Sequence, residues 1–124
     1  MKGIADTGFL VAFANRNDRH HEWAVSVAAR VTEPLLTCEA VLAETAFHLL
    51  NVSLVLAMIR DGLIALAFDC QDHLPQLVAL ASRYGVRQPD LADLCLIRMS
   101  ELYPRHSFIT VDHEDFRVYR RNKR

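Results

Sequence analysis

The chain has 124 residues, of which 52% are hydrophobic, and its formal net charge is −1. This length and apolar content exclude a disordered or fibrous chain and are typical of one compact domain with a buried core. No apolar stretch reaches the ~20 residues of a membrane span, and Asp6 interrupts the only N-terminal segment that resembles a secretory signal, so we expect a single cytoplasmic domain over residues 1–124.

Short apolar segments alternate along the chain with segments of helical period. The apolar segments are bounded by polar or turn residues and predict four strands, at residues 3–6, 35–37, 63–68 and 107–111. The helical segments are predicted, in chain order, at residues 21–31, 38–50, 51–61, 72–84 and 90–102. This alternation predicts an α/β fold in which crossover helices join parallel strands.

Several helix boundaries are predicted from individual residues. Thr37 is expected to cap the helix that begins at Cys38, and Asp90 is expected to cap the last helix. Asp72 is expected to cap the clearest amphipathic helix, which Gly85 ends. The residues predicted to share the buried face of that helix are Leu74, Leu77, Val78 and Ala81.

The C-terminal end is strongly basic. Five of the fourteen Lys and Arg residues lie in the tail at 117–124. Within it, Arg117, Arg120 and Arg121 are candidates for contacts with phosphate groups, while a solvated terminus explains the pattern equally well.

The three cysteines are Cys38, Cys70 and Cys95. They form no C-x-x-C pair of the kind found in zinc and redox sites. We expect them to be small buried hydrophobic residues.

Two acidic residues follow predicted strands. Asp6 closes the first strand, and Asp112 comes directly after the last. In an open parallel sheet the ligand crevice lies beyond the carboxyl ends of the strands, so both side chains are candidates for one site. Taken singly, Asp6 is also explained as a helix cap and Asp112 as a turn residue.

Glu44 lies in the segment AVLAETAFHLL, where apolar residues cover nearly every face of the predicted helix. A carboxylate in such surroundings requires a partner, because an isolated buried charge is costly. His48, one turn further along, is one candidate partner, and a bound cation is the other.

Asp90 and Asp93 lie three residues apart at the predicted start of the last helix. Helix capping alone explains such a pair. The same spacing also places both carboxylates on one face, at a helix end near the expected crevice. Asp93 is therefore a further candidate for the site.

Converging carboxylates at Asp6, Glu44, Asp93 and Asp112 would repel one another unless a positive charge neutralises them. Ligand sets made only of oxygen favour hard cations, and Mg²⁺ or Mn²⁺ fits best. Such an ion activates water and stabilises the leaving oxygen of a phosphodiester, which points to hydrolysis of nucleic acid.

Four segments carry a family resemblance: IADTGFLVAF, TCEAVLAETAF, PDLADLCLI and FITVDHEDFRVYRR. Together they resemble the PIN domains, in particular the toxin subunits of VapBC-type toxin-antitoxin pairs. The resemblance implies a three-layer α/β/α sandwich around a central parallel sheet of four or five strands. It also implies a Mg²⁺- or Mn²⁺-dependent endoribonuclease that a cognate antitoxin inhibits and that usually dimerises.

The same resemblance implies site residues. Asp6, Glu44, Asp93 and Asp112 correspond to the catalytic, metal-binding acids, with Asp90 an alternative to Asp93. The closing motif T-x-D-x-x-D-F also includes Thr110, expected beside the site, and Asp115, expected at its rim. The basic tail is then a candidate for contacts with RNA.

Two other interpretations remain open. One is a PIN fold that binds RNA or protein without cleaving, and the other is an acidic-pocket phosphoacceptor domain. The four glycines, at positions 3, 8, 62 and 85, cannot form a G-x-G-x-x-G or Walker loop, which excludes a glycine-loop nucleotide-binding site.

Overall fold

The structure is a computed structural model, and it describes residues 1–111. Its elements follow one another in the order β1 (Gly3–Ala5), α1 (Thr7–Ala14), α2 (His21–Ala28), β2 (Leu35–Thr37), α3 (Glu39–Leu49), α4 (Val52–Arg60), β3 (Ile64–Leu66), a 3₁₀ turn (Gln71–His73), α5 (Leu74–Arg83), a second 3₁₀ turn (Gly85–Arg87), α6 (Leu91–Leu102) and β4 (Ser107–Ile109).

The four strands form one parallel sheet in the order β3-β2-β1-β4. Helices flank this sheet and connect its strands, so the predicted α/β/α sandwich is confirmed. None of the helices in residues 1–111 is both long and apolar enough to cross a membrane.

β1 is a buried inner strand of the sheet. All three residues of β1 are buried, and β1 pairs with β2 on one side and with β4 on the other. A Cβ on Gly3 would lie 2.6 Å from Cδ1 of Ile109 and 3.2 Å from the backbone oxygen of Ser107. Glycine at this position therefore allows β4 to approach β1 closely enough to pair.

Three of the four strands are shorter than predicted, β2 has the predicted bounds, and two predicted caps are wrong. Thr37 lies at the end of β2, where its Oγ1 donates a hydrogen bond to the backbone oxygen of Ala5 at 2.9 Å. The N-cap of α3 is Cys38 instead, and it makes no side-chain capping bond. Thr37 thus joins two strands rather than starting a helix.

The predicted cap of α5 is also wrong, and its predicted buried face is correct only for Leu77. Asp72 lies within a 3₁₀ turn, so α5 begins at Leu74 with His73 as its N-cap. The residues that enter the core are Leu77 and Leu80, while Leu74 and Val78 are more than half exposed. Leu77, Leu80 and Tyr84 are buried and lie three and four positions apart, so the buried face is rotated from the predicted one.

Candidate active site

Asp6 lies where β1 ends and α1 begins. Its Oδ1 accepts a hydrogen bond from the backbone nitrogen of Phe9 at 2.8 Å, and its own backbone nitrogen donates to the oxygen of Ile109 at 3.4 Å. Asp6 is therefore the N-cap of α1, as one interpretation of the sequence held. The strand pairing fixes this cap at the carboxyl edge of the sheet, beside the end of β4.

Gly8 brings the chain after β4 against the first turn of α1. A Cβ added at Gly8 would lie 2.7 Å from Cγ2 of Val111 and 3.7 Å from Oδ1 of Asp6. Only glycine leaves room for Val111 at this distance. The end of the described chain thus lies close to the Asp6 carboxylate.

Glu44 projects from α3 toward α1. Its Oε1 accepts a hydrogen bond from Oγ1 of Thr7 at 2.8 Å. Burial raises the pKa of Glu44, and the nearby Asp90 carboxyl raises it further, whereas the Thr7 hydroxyl lowers it. The proposed ion pair with His48 is not formed among the described residues, and the imidazole of His48 is exposed.

Thr7 was not among the residues singled out from the sequence. The feature of the sequence that could have identified it is its position, because its hydroxyl directly follows a strand-terminal acid and lies at the start of a helix. What the sequence does not show is that α1 packs against α3, which brings Thr7 within hydrogen-bonding distance of a residue 37 positions away.

Asp90 and Asp93 form a reciprocal cap on α6. Oδ1 of Asp90 accepts from the backbone nitrogen of Asp93 at 2.8 Å, and Oδ2 of Asp93 accepts from the backbone nitrogen of Asp90 at 3.2 Å. The predicted capping by Asp90 is confirmed. The side chain of Asp93 is half-buried, whereas that of Asp90 is exposed.

The α6 pair and Glu44 form one electrostatic cluster. Burial, together with the charges of Asp90 and Glu44, raises the pKa of Asp93 to about 6. The carboxyl group of Asp90 in turn raises the pKa of Glu44, so the two groups interact. We call Glu44, Asp90 and Asp93 the carboxylate cluster, in which burial and the neighbouring carboxyl groups raise the pKa values of Glu44 and Asp93.

A sequence profile of the PIN domain matches residues 4–122, nearly the whole chain. The chain belongs to the PIN-domain family. None of the curated proteins matches it. Among solved structures it is similar to VapC20 of Mycobacterium tuberculosis, described as a sarcin-ricin loop cleaving toxin, with a TM-score of 0.75, 19% sequence identity and 92% of each chain covered. At that identity the likeness concerns the fold.

The donor chemistry of this PIN domain suits a hard cation, since the cluster offers carboxylate oxygens whose mutual repulsion an ion would relieve. Within residues 1–111, however, no three His, Cys, Asp or Glu side chains are arranged to hold a metal ion. The fourth predicted ligand, Asp112, lies outside the described residues. The described part of the PIN domain therefore supplies acids of the right type but not a complete ligand set.

Among the remaining predicted site residues, one lies within the described range and the others lie outside it. Thr110 is buried and directly follows β4, one position beyond the pairing of Ala5 with Ile109. Continuing that register places Thr110 next to Asp6 at the carboxyl edge. The residues outside the described range are Asp115, Arg117, Arg120 and Arg121.

Proposed function

We propose that this PIN domain, spanning residues 1–124, is a metal-dependent endoribonuclease and the toxin of a type II toxin-antitoxin pair. The observation that carries the proposal is the carboxylate cluster at the strand-end edge, with the pKa of Asp93 raised to about 6. Membership of the PIN family and the fold shared with VapC20 support the reaction type.

Asp6, Glu44, Asp93 and Asp112 would hold Mg²⁺ or Mn²⁺, and Asp90 would hold Asp93 in place through the capping box. A bound ion of this type supplies a water of lowered pKa and stabilises the leaving oxygen of a phosphodiester. Thr7 fixes one oxygen of Glu44 by its 2.8 Å hydrogen bond, which orients the other oxygen. The capping bond of Phe9 similarly fixes Oδ1 of Asp6.

The substrate in this proposal is RNA, and Arg117, Arg120 and Arg121 would contact its phosphates. A cognate antitoxin would inhibit the enzyme by covering the carboxylate cluster, where an arginine side chain would neutralise the repelling acids. We further propose a cytoplasmic homodimer.

The proposal is tested by incubating total RNA with the full chain in Mg²⁺, in Mn²⁺ and in EDTA. We expect discrete cuts that EDTA abolishes and that fall about a hundredfold or more in Asp6→Asn and Asp93→Asn, because each change would remove an anionic ligand of the cation that stabilises charge on the reacting phosphate.

The matched control is Asp61→Asn. This variant makes the same chemical change at a different place. Asp61 precedes β3 at the opposite edge of the sheet, where it forms an exposed ion pair with Arg60. Its cleavage rate should equal that of the unaltered chain. RNA binding without cutting in either metal would overturn the nuclease proposal and favour a PIN scaffold that binds RNA.

A further inference from the structure

Three cysteines that are far apart in sequence meet beside the carboxylate cluster. Cys38 precedes α3, Cys70 precedes the first 3₁₀ turn, and Cys95 lies in α6. All three are free thiols. The Sγ atoms of Cys70 and Cys95 are 3.5 Å apart, and Cys38 is close enough to Cys95 to interact with it electrostatically.

The three thiols differ in access to solvent. Cys38 is 1% exposed and Cys95 is 0% exposed, as expected for small buried hydrophobic residues. Cys70 is only partly buried, and it lies in the loop between β3 and the 3₁₀ turn. A solute from solvent therefore reaches Cys70 first.

The geometry favours one pair for covalent chemistry. A disulfide has a sulfur-sulfur distance of about 2.05 Å, so Cys70 and Cys95 must close by roughly 1.5 Å from their 3.5 Å contact. Cys70 lies outside the regular helices and strands, between β3 and the first 3₁₀ turn, whereas Cys38 lies at the buried junction of β2 and α3.

We propose that Cys70 and Cys95 are an oxidisable pair. They form an intramolecular disulfide when they react with a low-molecular-weight disulfide, which is the oxidant. The Cys70 thiolate attacks one sulfur of the oxidant, breaks its disulfide bond and releases one small thiol. The Cys95 sulfur then loses its proton and attacks Sγ of Cys70, which releases the second small thiol. Two electrons pass from the protein thiols to the oxidant, which is reduced to two thiols.

The second step is intramolecular, and the 3.5 Å contact between the two Sγ atoms favours it. The product would tie the β3 loop to α6 two residues beyond Asp93.

The pair is tested on the reduced full chain with oxidised glutathione as the probe, followed by alkylation of free thiols and digestion with trypsin. Each cysteine falls in its own tryptic peptide, residues 31–60, 61–83 and 88–98. We expect mass spectrometry to find peptides 61–83 and 88–98 linked. This readout is chemical and does not depend on the proposed ribonuclease activity.

The variants are Cys70→Ser, which should abolish the link, and Cys38→Ser, the matched control, which should retain it. The same reaction in urea should lose its preference for this pair, because the native contact is absent. A link through peptide 31–60, a mixed disulfide on Cys70 that never closes, or an equal distribution of links in native and unfolded protein would overturn the proposal.

Discussion

The N-termini of α1 and α6 use the same capping bond but differ in the acids they carry. In each helix an aspartate, Asp6 or Asp90, accepts a hydrogen bond from the nitrogen three residues on at 2.8 Å. Only α6 adds a second acid, Asp93, which is half-buried and has its pKa raised to about 6. One carboxylate caps α1, whereas the reciprocal cap of α6 places two carboxylates close together, so that like charges repel there.

We expect the largest change in stability at Asp90, where two substitutions separate the effect of the capping hydrogen bond from the effect of the charge. Asp90→Ala removes the acceptor for the nitrogen of Asp93 and should lower the free energy of unfolding by about 1–2 kcal/mol. Asp90→Asn keeps an acceptor but removes a charge that raises the pKa of Asp93, so its unfolding free energy should equal or exceed that of the unaltered chain. Urea titration near pH 7 measures both.

The matched control is Asn51→Ala, which removes the neutral cap of α4, an acceptor for the nitrogen of Leu54 at 3.0 Å. It should cost about 1 kcal/mol. If Asp90→Asn is as destabilising as Asp90→Ala, the negative charge of Asp90 does not destabilise the folded state. The proposed difference between the N-termini of α1 and α6 would then be wrong.

The pH dependence of stability isolates Asp93. Its folded pKa of about 6 lies above the ordinary 3.8, so the folded state favours the protonated form. The stability from this group is complete below pH ~4 and is lost as pH rises to about 6. Asp93→Asn should lack this loss and exceed the unaltered chain by on the order of 1 kcal/mol near pH 7, after discounting for solvent screening.

The measurement is the difference in unfolding free energy between Asp93→Asn and the unaltered chain across this pH range. Asparagine retains an oxygen that can accept from the nitrogen of Asp90. A difference that stays constant between pH 4 and pH 7 would show that Asp93 is not the group that titrates.

The hydrogen bond between α1 and α3 should give the smallest effect. Thr7→Val removes the hydroxyl that lies 2.8 Å from Glu44 and should cost about 0.5–1 kcal/mol. The pKa of Glu44 should rise, because this bond lowers it. Carboxyl NMR titration measures the shift, and Thr7→Ser, which retains a hydroxyl, should leave it near the original value. No shift in Thr7→Val would contradict the contact.

The sequence allowed the fold to be predicted because buried strands and amphipathic helices leave distinct local patterns. The capping role of Asp90 was likewise predictable, because it depends only on neighbouring residues in the sequence. The buried face of α5 was predicted only in part: Leu77 is buried, but Leu80 is buried where Leu74 and Val78 were expected, because apolar residues occur on more than one face of this helix.

Partners across elements were harder to predict than elements. Glu44 was singled out as a costly charge in an apolar helix, but its partner Thr7 comes from another helix, whereas the sequence offered only His48 in the same one. Thr37 has the residue type of a cap, yet the position of β1 makes the backbone oxygen of Ala5 its acceptor. Both outcomes depend on tertiary packing that no short segment encodes.

The most direct test of the difference between α1 and α6 is the calorimetric titration of the full chain with Mn²⁺. If the second acid on α6 serves a cation, the unaltered chain and Asp61→Asn should bind alike, and Asp93→Asn should bind tenfold or more weakly. Equal binding by Asp93→Asn, with its fold confirmed by circular dichroism, would contradict a role for Asp93 in holding the metal.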